Sequence, residues 1–176
     1  MAESNILVSE RLALKPFDHM FLTDRYVGWL NDKTTVRFSE QRHHLHTLDT
    51  CRAYAQAFAG GPNYFWAIVA HDDSLGHIGN ITATVDPHNR VAGLAIMVGE
   101  PKARGHRYGL EAWNCACRFL LNEGSMRKVT AGTMASNEPM LRIMRASGMV
   151  EEGRRSRQFL VDGEEIDLIL TALFAG

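Results

Sequence analysis

The stretch Met97-Val98-Gly99-Glu100-Pro101-Lys102-Ala103-Arg104-Gly105-His106-Arg107-Tyr108-Gly109-Leu110-Glu111 decides how the rest of the chain is read. The apolar run Leu94 to Val98 ends in a turn containing Gly99 and Pro101. An Arg-Gly-x-x-x-Gly segment, Arg104 to Gly109, then leads into an amphipathic helical pattern. Strand, glycine-bearing loop and helix start, in that order, build an anion site. The first backbone N–H groups of a helix have no internal partner, and the helix dipole places positive potential there. A pyrophosphate suits such a terminus, and glycines at 105 and 109 let the backbone approach it closely.

Two familiar phosphate loops do not fit. No Gly-Lys-Ser/Thr follows, and Arg107 and Tyr108 break the Gly-x-Gly-x-x-Gly spacing of the dinucleotide fingerprint. Downstream, residues 109–123 read as a helix with Leu110, Trp113, Cys117, Leu120 and Leu121 on one face, capped by Gly124. Val129 to Ala135 follow as a strand. Ser136-Asn137-Glu138-Pro139 starts a second helix that runs to Gly148, with Asn137 as its cap. Residues 155–161 and 165–173, around Asp162-Gly163, form a closing hairpin.

Upstream, residues 75–85 and 91–98 are β-rich and joined by Asp86-Pro87-His88-Asn89, which reads as a long antiparallel hairpin. Tyr64 to Ala70 is nearly continuously apolar, as a strand covered on both faces would be. Residues 6–17 alternate as a first strand, closed by Pro16. Two helices lie between, from about Asp18 to Leu30 and from Leu48 to Ala59, the second capped by Thr47 or Asp49. The irregular segment 33–46 carries Arg42-His43-His44-Leu45-His46. A structural zinc site needs four ligands, and no Cys, Asp or Glu stands nearby at a plausible spacing, so this reads as a polar loop at a pocket rim rather than a metal site. Strands separated by helices in this order predict a single α+β domain over residues 1–176, an α/β/α sandwich on a mixed, mainly antiparallel sheet.

Composition narrows the function classes. Apolar content of 45% with 22% charged residues is that of a globular chain long enough to bury a core. A formal net charge of −1 gives no electrostatic case for nucleic acid or a membrane surface. No apolar run reaches the length of a membrane span. Met1 to Asn5 lack the character of a signal peptide, and Cys51, Cys115 and Cys117 make neither a metal pair nor a disulfide framework. These features predict a cytoplasmic protein.

The order of residues in the opening stretch resembles the acetyl-CoA loop of the GCN5-related N-acetyltransferases, Gln/Arg-x-x-Gly-x-Gly/Ala. Arg104 and Gly109 fall on its first and last positions, and Arg107 replaces its middle glycine. A second landmark is similar as well: Asn137 opens the helix after the fifth strand of that fold, and Gly148-Met149 follows one helix later. Ser9-Glu10-Arg11-Leu12-x-Leu14-Lys15-Pro16 is similar to the opening of the RimJ/RimL-like branch. Element order and landmarks agree over nearly the whole chain.

The resemblance implies transfer of an acetyl group from acetyl-CoA, bound as co-substrate without a metal, to a primary amine. Backbone groups of Met97 and Val98 would hold the pantetheine arm. The amides of Gly105, His106, Arg107, Tyr108, Gly109 and Leu110 would cradle the pyrophosphate, and Arg104 and Arg107 could pair with it. Asn137 would bond the pantetheine as well as capping its helix. The family's proton-moving positions fall on Gly93, Met144 and Met140, none of which moves a proton. His77 and Glu138 are the substitutes considered, the first because imidazole suits base chemistry. The aromatic and His-rich region 26–46, with Trp29-Leu30-Asn31-Asp32, looks like that of relatives acting on nucleotide-linked amino sugars. A protein N-terminus, as in RimJ/RimL-type enzymes, and a non-catalytic acyl-CoA-binding domain are the alternatives. Apolar residues of the closing hairpin could mark a homodimer.

Overall fold

The computed structural model describes residues 6–176; the reading of Met1 to Asn5 lies outside the described residues. The chain opens with β1 (Leu7–Val8) and β2 (Leu12–Pro16), then α1 (Asp24–Asn31), a short 3-10 turn (Glu40–His43) and α2 (Leu48–Gln56). The middle is β3 (Tyr64–Ala70), β4 (His77–Asp86), β5 (Val91–Val98), a second 3-10 turn (Pro101–Ala103) and α3 (Tyr108–Asn122). It ends with β6 (Lys128–Met134), α4 (Glu138–Ala146), β7 (Val150–Val161) and β8 (Glu164–Phe174). Among the described residues one sheet of eight strands forms, in the order β1-β2-β3-β4-β5-β6-β8-β7. Its only parallel pair is β5 with β6, so the sheet is mixed and mainly antiparallel, as expected.

One face of the sheet carries Leu12, Leu14, Ile68, Ile81, Leu94 and Val129, packed on Trp113 and Leu120 of α3 and on Leu141 and Met144 of α4. The opposite face carries Phe65 against Tyr26, Trp29 and Leu30 of α1 and Cys51 of α2. Helices on both faces make the three-layer α+β domain that the sequence predicts. Cys115 and Cys117 are buried on α3, and burial pushes the Cys117 thiol up to about 12. No helix of the described residues is long and apolar enough to cross a membrane.

Three boundaries differ from the sequence expectation. The first strand is broken at Ser9–Arg11, and β1 folds back on β2, pairing Leu7 with Leu14 and Val8 with Ala13. The Glu111 carboxylate holds that turn by accepting from Ser9 Oγ (2.7 Å) and Arg11 N (2.8 Å), contacts about a hundred positions apart. The first helix starts at Asp24 rather than Asp18. Thr23 Oγ1 caps it by accepting from Tyr26 N, and Asp18 Oδ1 accepts from Met20 N in a preceding turn. The closing hairpin is longer than predicted and carries exposed Val150, Leu160 and Phe174.

Candidate active site

The site begins where two strands part. β5 and β6 pair only through Val91–Lys128, Ala92–Val129 and Gly93–Thr130. Beyond that, β5 runs on to Val98 and β6 to Met134 without bonding each other. β5 stays attached to β4 along its other edge, through pairs from Asp86–Val91 to Gly79–Val98, and Gly99 N donates to Ile78 O at 2.9 Å. Strand alternation therefore turns the N–H and C=O groups of Ile96 and Val98 into the gap. An extended amide chain laid there would be bonded as an added strand is.

The loop and helix at the mouth of the gap are built to leave donors free. α1, α2 and α4 have side-chain caps in Thr23, Thr47 and Asn137. α3 has none: it starts from Arg107, whose backbone is left-handed at φ +64° and ψ +12°. Gly105 just before it is also left-handed, at φ +79°. A left-handed backbone at 107 is the physical reason for a glycine preference there, and here an arginine adopts it. The first-turn N–H groups of α3 thus have no side-chain cap to receive them. Gly109 lets α3 start against the strand: a Cβ there would stand 3.4 Å from Val98 Cγ2 and 3.2 Å from Ile143 Cδ1.

The same helix end is tethered from behind. Arg11 Nε pairs with Glu111 Oε2 at 2.7 Å, and its guanidinium lies 4.6 Å from the centre of the Tyr108 ring. For Glu111, burial is the largest single influence and pushes its pKa up. The Arg11 N–H, the Ser9 hydroxyl and the Arg11 charge together outweigh it, so the carboxyl lies below its ordinary range.

From the gap a cavity of about 730 Å³ continues beneath α1, α2 and the 34–46 segment. Its apolar wall includes Tyr26, Leu30, Phe65, Met97 and Ile143, and its polar wall includes Asn80, Thr82, Thr35, His44, His46 and Arg104. No Asp or Glu is among the described residues that line it. Burial raises the pKa of Tyr26, Tyr54 and Cys51, which line it too, so these stay protonated at neutral pH.

The profile of the acetyltransferase (GNAT) domain family matches residues 11–150. The chain belongs to the GNAT acetyltransferase family. Among solved structures, RimL, the ribosomal L7/L12 α-N-protein acetyltransferase in complex with coenzyme A, is similar at a TM-score of 0.84 and 15% identity, over 97% of this chain and 98% of that one. A GNAT-family acetyltransferase from Bacillus anthracis aligns at 0.81 and 17% identity, over 97% and 99%. A spermidine N-acetyltransferase chimera of the Vibrio cholerae and human enzymes aligns at 0.81 and 14%, over 94% and 96%. At such identities the solved structures establish the fold. Among curated proteins none matches the chain.

Within this GNAT domain the residues singled out from sequence separate into two groups. Met97, Val98, Arg104 and Asn137 line the cavity, and Gly105 to Leu110 form the loop and helix start at the gap. Arg104 is turned inward, donating from Nη2 to Thr35 Oγ1 (2.7 Å) and Gly99 O (3.1 Å) and from Nε to Val98 O (3.4 Å). It ties the loop after β5 to the segment after α1. Asn137 caps α4 by accepting from Met140 N (3.3 Å) and donates to Thr133 Oγ1 (2.9 Å). His106 keeps its carbonyl on Arg11 Nη1 at 3.0 Å.

The other group lies off the wall. Glu138 is at the exposed first turn of α4, 3.8 Å from Arg145. His77 packs edge-on against Phe21 and Trp29, with ring centroids 5.1 and 5.0 Å away, and burial lowers its pKa. Met140 lines the cavity, whereas Met144 is in the main core. Among the wall residues that the sequence reading did not single out are Asn80 and Thr35. Asn80 was findable, because Asn80, Thr82 and Thr84 recur every second residue of an apolar strand and so mark one polar face. Thr35 was not, since its partner lies 69 residues away.

Proposed function

We propose that this protein binds acetyl-CoA along the β5–β6 gap and moves the acetyl group to the primary amine of a small acceptor with neutral or anionic substituents, a nucleotide-linked amino sugar being the class that suits it. The observation that carries the acceptor is the cavity wall. A polycation such as spermidine needs carboxylates to receive its second and third charges. The described wall has none, and carries Arg104, His44 and His46 instead.

The coenzyme side fits the residues present. The N–H groups of Ile96 and Val98 face the gap, and the uncapped start of α3 together with Arg107 suits a pyrophosphate. Bound acetyl-CoA supplies an activated thioester. The chain's part is to align the amine, to offer the Val98 N–H where negative charge develops on the acyl oxygen, and to accept the amine's proton. His44 and His46 are the nitrogen bases on the described wall able to take that proton, directly or through water. His77 and Glu138 would need a relay to reach it.

The test is thiol release from acetyl-CoA with four amines at equal concentration: a UDP-linked amino sugar, free glucosamine, spermidine, and a short peptide with a free N-terminus. The reading expects the sugar amines to be turned over at least tenfold faster than the other two. Preference for spermidine or for the peptide overturns the acceptor class. An absence of thiol release with all four amines, despite stabilisation by coenzyme A, leaves the alternative of an acyl-CoA-binding domain.

A further inference from the structure

Asn80 has an unusual hydrogen-bond inventory. It is 5% exposed, it lines the cavity, and its Nδ2 has no partner. A buried amide nitrogen left without an acceptor is uncommon in a folded protein. The amide has a fixed orientation, because its Oδ1 accepts from His77 Nε2 at 2.9 Å. The same Nε2 is 3.0 Å from Gly79 O. Both neighbours of that nitrogen are then oxygens, so Nε2 carries the proton. Turning the Asn80 amide over would require Nε2 to accept, leaving its lone pair against the Gly79 carbonyl. The imidazole is itself clamped by the rings of Phe21 and Trp29. Four side chains thus present one N–H₂ group to the cavity, and it is donor only.

Its position decides what it can meet. Asn80 is the cross-strand partner of Met97, one residue before the Val98 N–H that faces the gap. A donor beside the transfer point cannot bind an ammonium or take a proton from one; it needs an oxygen close to the amine. We propose that Asn80 recognises the acceptor through an oxygen on the carbon next to the one bearing the amine, a hydroxyl in an amino sugar, with His77 as the positioning residue that holds the amide. This rests on the reading of the protein as a small-amine acetyltransferase and narrows its substrates to vicinal amino alcohols.

The matched probes are trans-2-aminocyclohexanol and cyclohexylamine, which differ only in that hydroxyl. With the full chain and saturating acetyl-CoA, wild type is expected to favour the amino alcohol in kcat/KM by about ten- to a hundredfold, since a site built to bond a hydroxyl rejects the analogue without one. Asn80→Ala brings the ratio to within about threefold of unity, chiefly through KM of the amino alcohol. His77→Ala lowers the ratio by freeing the amide, and His77→Gln, whose amide N–H can donate to Asn80 Oδ1, restores it. A merely structural histidine would change both amines alike. The shift of unfolding midpoint by coenzyme A reports in every variant that the coenzyme half is folded. An unchanged ratio in Asn80→Ala overturns the role of Asn80 while acetyl transfer to small amines stands. Turnover of neither ring amine, with turnover of spermidine or peptide, overturns the acceptor class and the Asn80 assignment together.

Discussion

Gly99 is where the loop after β5 touches α1, and replacing it with alanine tests that contact directly. A Cβ at this position would lie 2.1 Å from Trp29 Cδ2 and 2.4 Å from Cε3 and Cγ. Carbon atoms in contact sit at about 3.5–4.0 Å, so the indole must retreat by about 1.5 Å. It has little room: Trp29 is 7% exposed, clustered with Tyr26, Leu30 and Phe65, and overlain by the Arg25 guanidinium that pairs with Glu100. Overpacking of this kind costs about 1–3 kcal/mol, and a rigid ring struck face-on belongs at the upper end. At this chain length about 3 kcal/mol lowers the unfolding midpoint by about 6–12 °C. Trp29→Ala alone removes a large buried ring and costs about 3–5 kcal/mol. If the collision is the cause, Gly99→Ala/Trp29→Ala is no less stable than Trp29→Ala, a coupling of about 3 kcal/mol between two single losses that do not add. Denaturant unfolding of the four proteins measures it. A Gly99→Ala protein melting within about 2 °C of wild type, or losses that simply sum, refutes the reasoning.

Two further outcomes follow from the loop and its tether. Arg107→Gly relieves a left-handed backbone that costs a non-glycine residue about 1–2 kcal/mol, while the freer unfolded chain offsets about 0.5–1 of it; the midpoint should rise by up to about 6 °C, and a fall of more than about 2 °C would mean the arginine side chain makes a contact that outweighs the strain. Glu111 has a folded pKa below its ordinary 4.5, so its contribution is complete above the unfolded value and is lost as pH falls through the folded one. Urea midpoints of Glu111→Gln should therefore lie below wild type at pH 6 and converge on it toward pH 3, and parallel curves would show that the Arg11–Ser9–Glu111 network carries no pH-linked stability.

The elements were legible because their signals are local. Apolar Tyr64 to Ala70, the Asp86-Pro87-His88-Asn89 turn and the Gly124 and Gly148 stops each announce their element within a few residues, and the structure keeps all of them. The first strand was misread where a distant group intervened. Nothing near Ser9 says that the strand turns back there, since the carboxylate that receives Ser9 and Arg11 belongs to α3. Within the site, the loop from Gly105 to Leu110 and Asn137 was readable from motif spacing. The inward turn of Arg104 was not, because Thr35 and the Val98 and Gly99 carbonyls that receive it meet only when α1 docks. His77 was singled out for its chemistry, and folding places it behind Asn80, among aromatic rings.

By itself, then, the sequence determined the order of strands and helices, the strand–loop–helix that suits a pyrophosphate, and the membership of a family, because periodicity, turn chemistry and motif spacing act over short stretches of chain. Only the tertiary structure decided where β5 and β6 part, which helix start has no side-chain cap, and that the cavity beside them has no Asp or Glu among its described lining residues but has the buried Asn80 amide. Those features are relations between residues tens of positions apart. Burial and hydrogen-bond satisfaction settle them only once the layers have closed on one another.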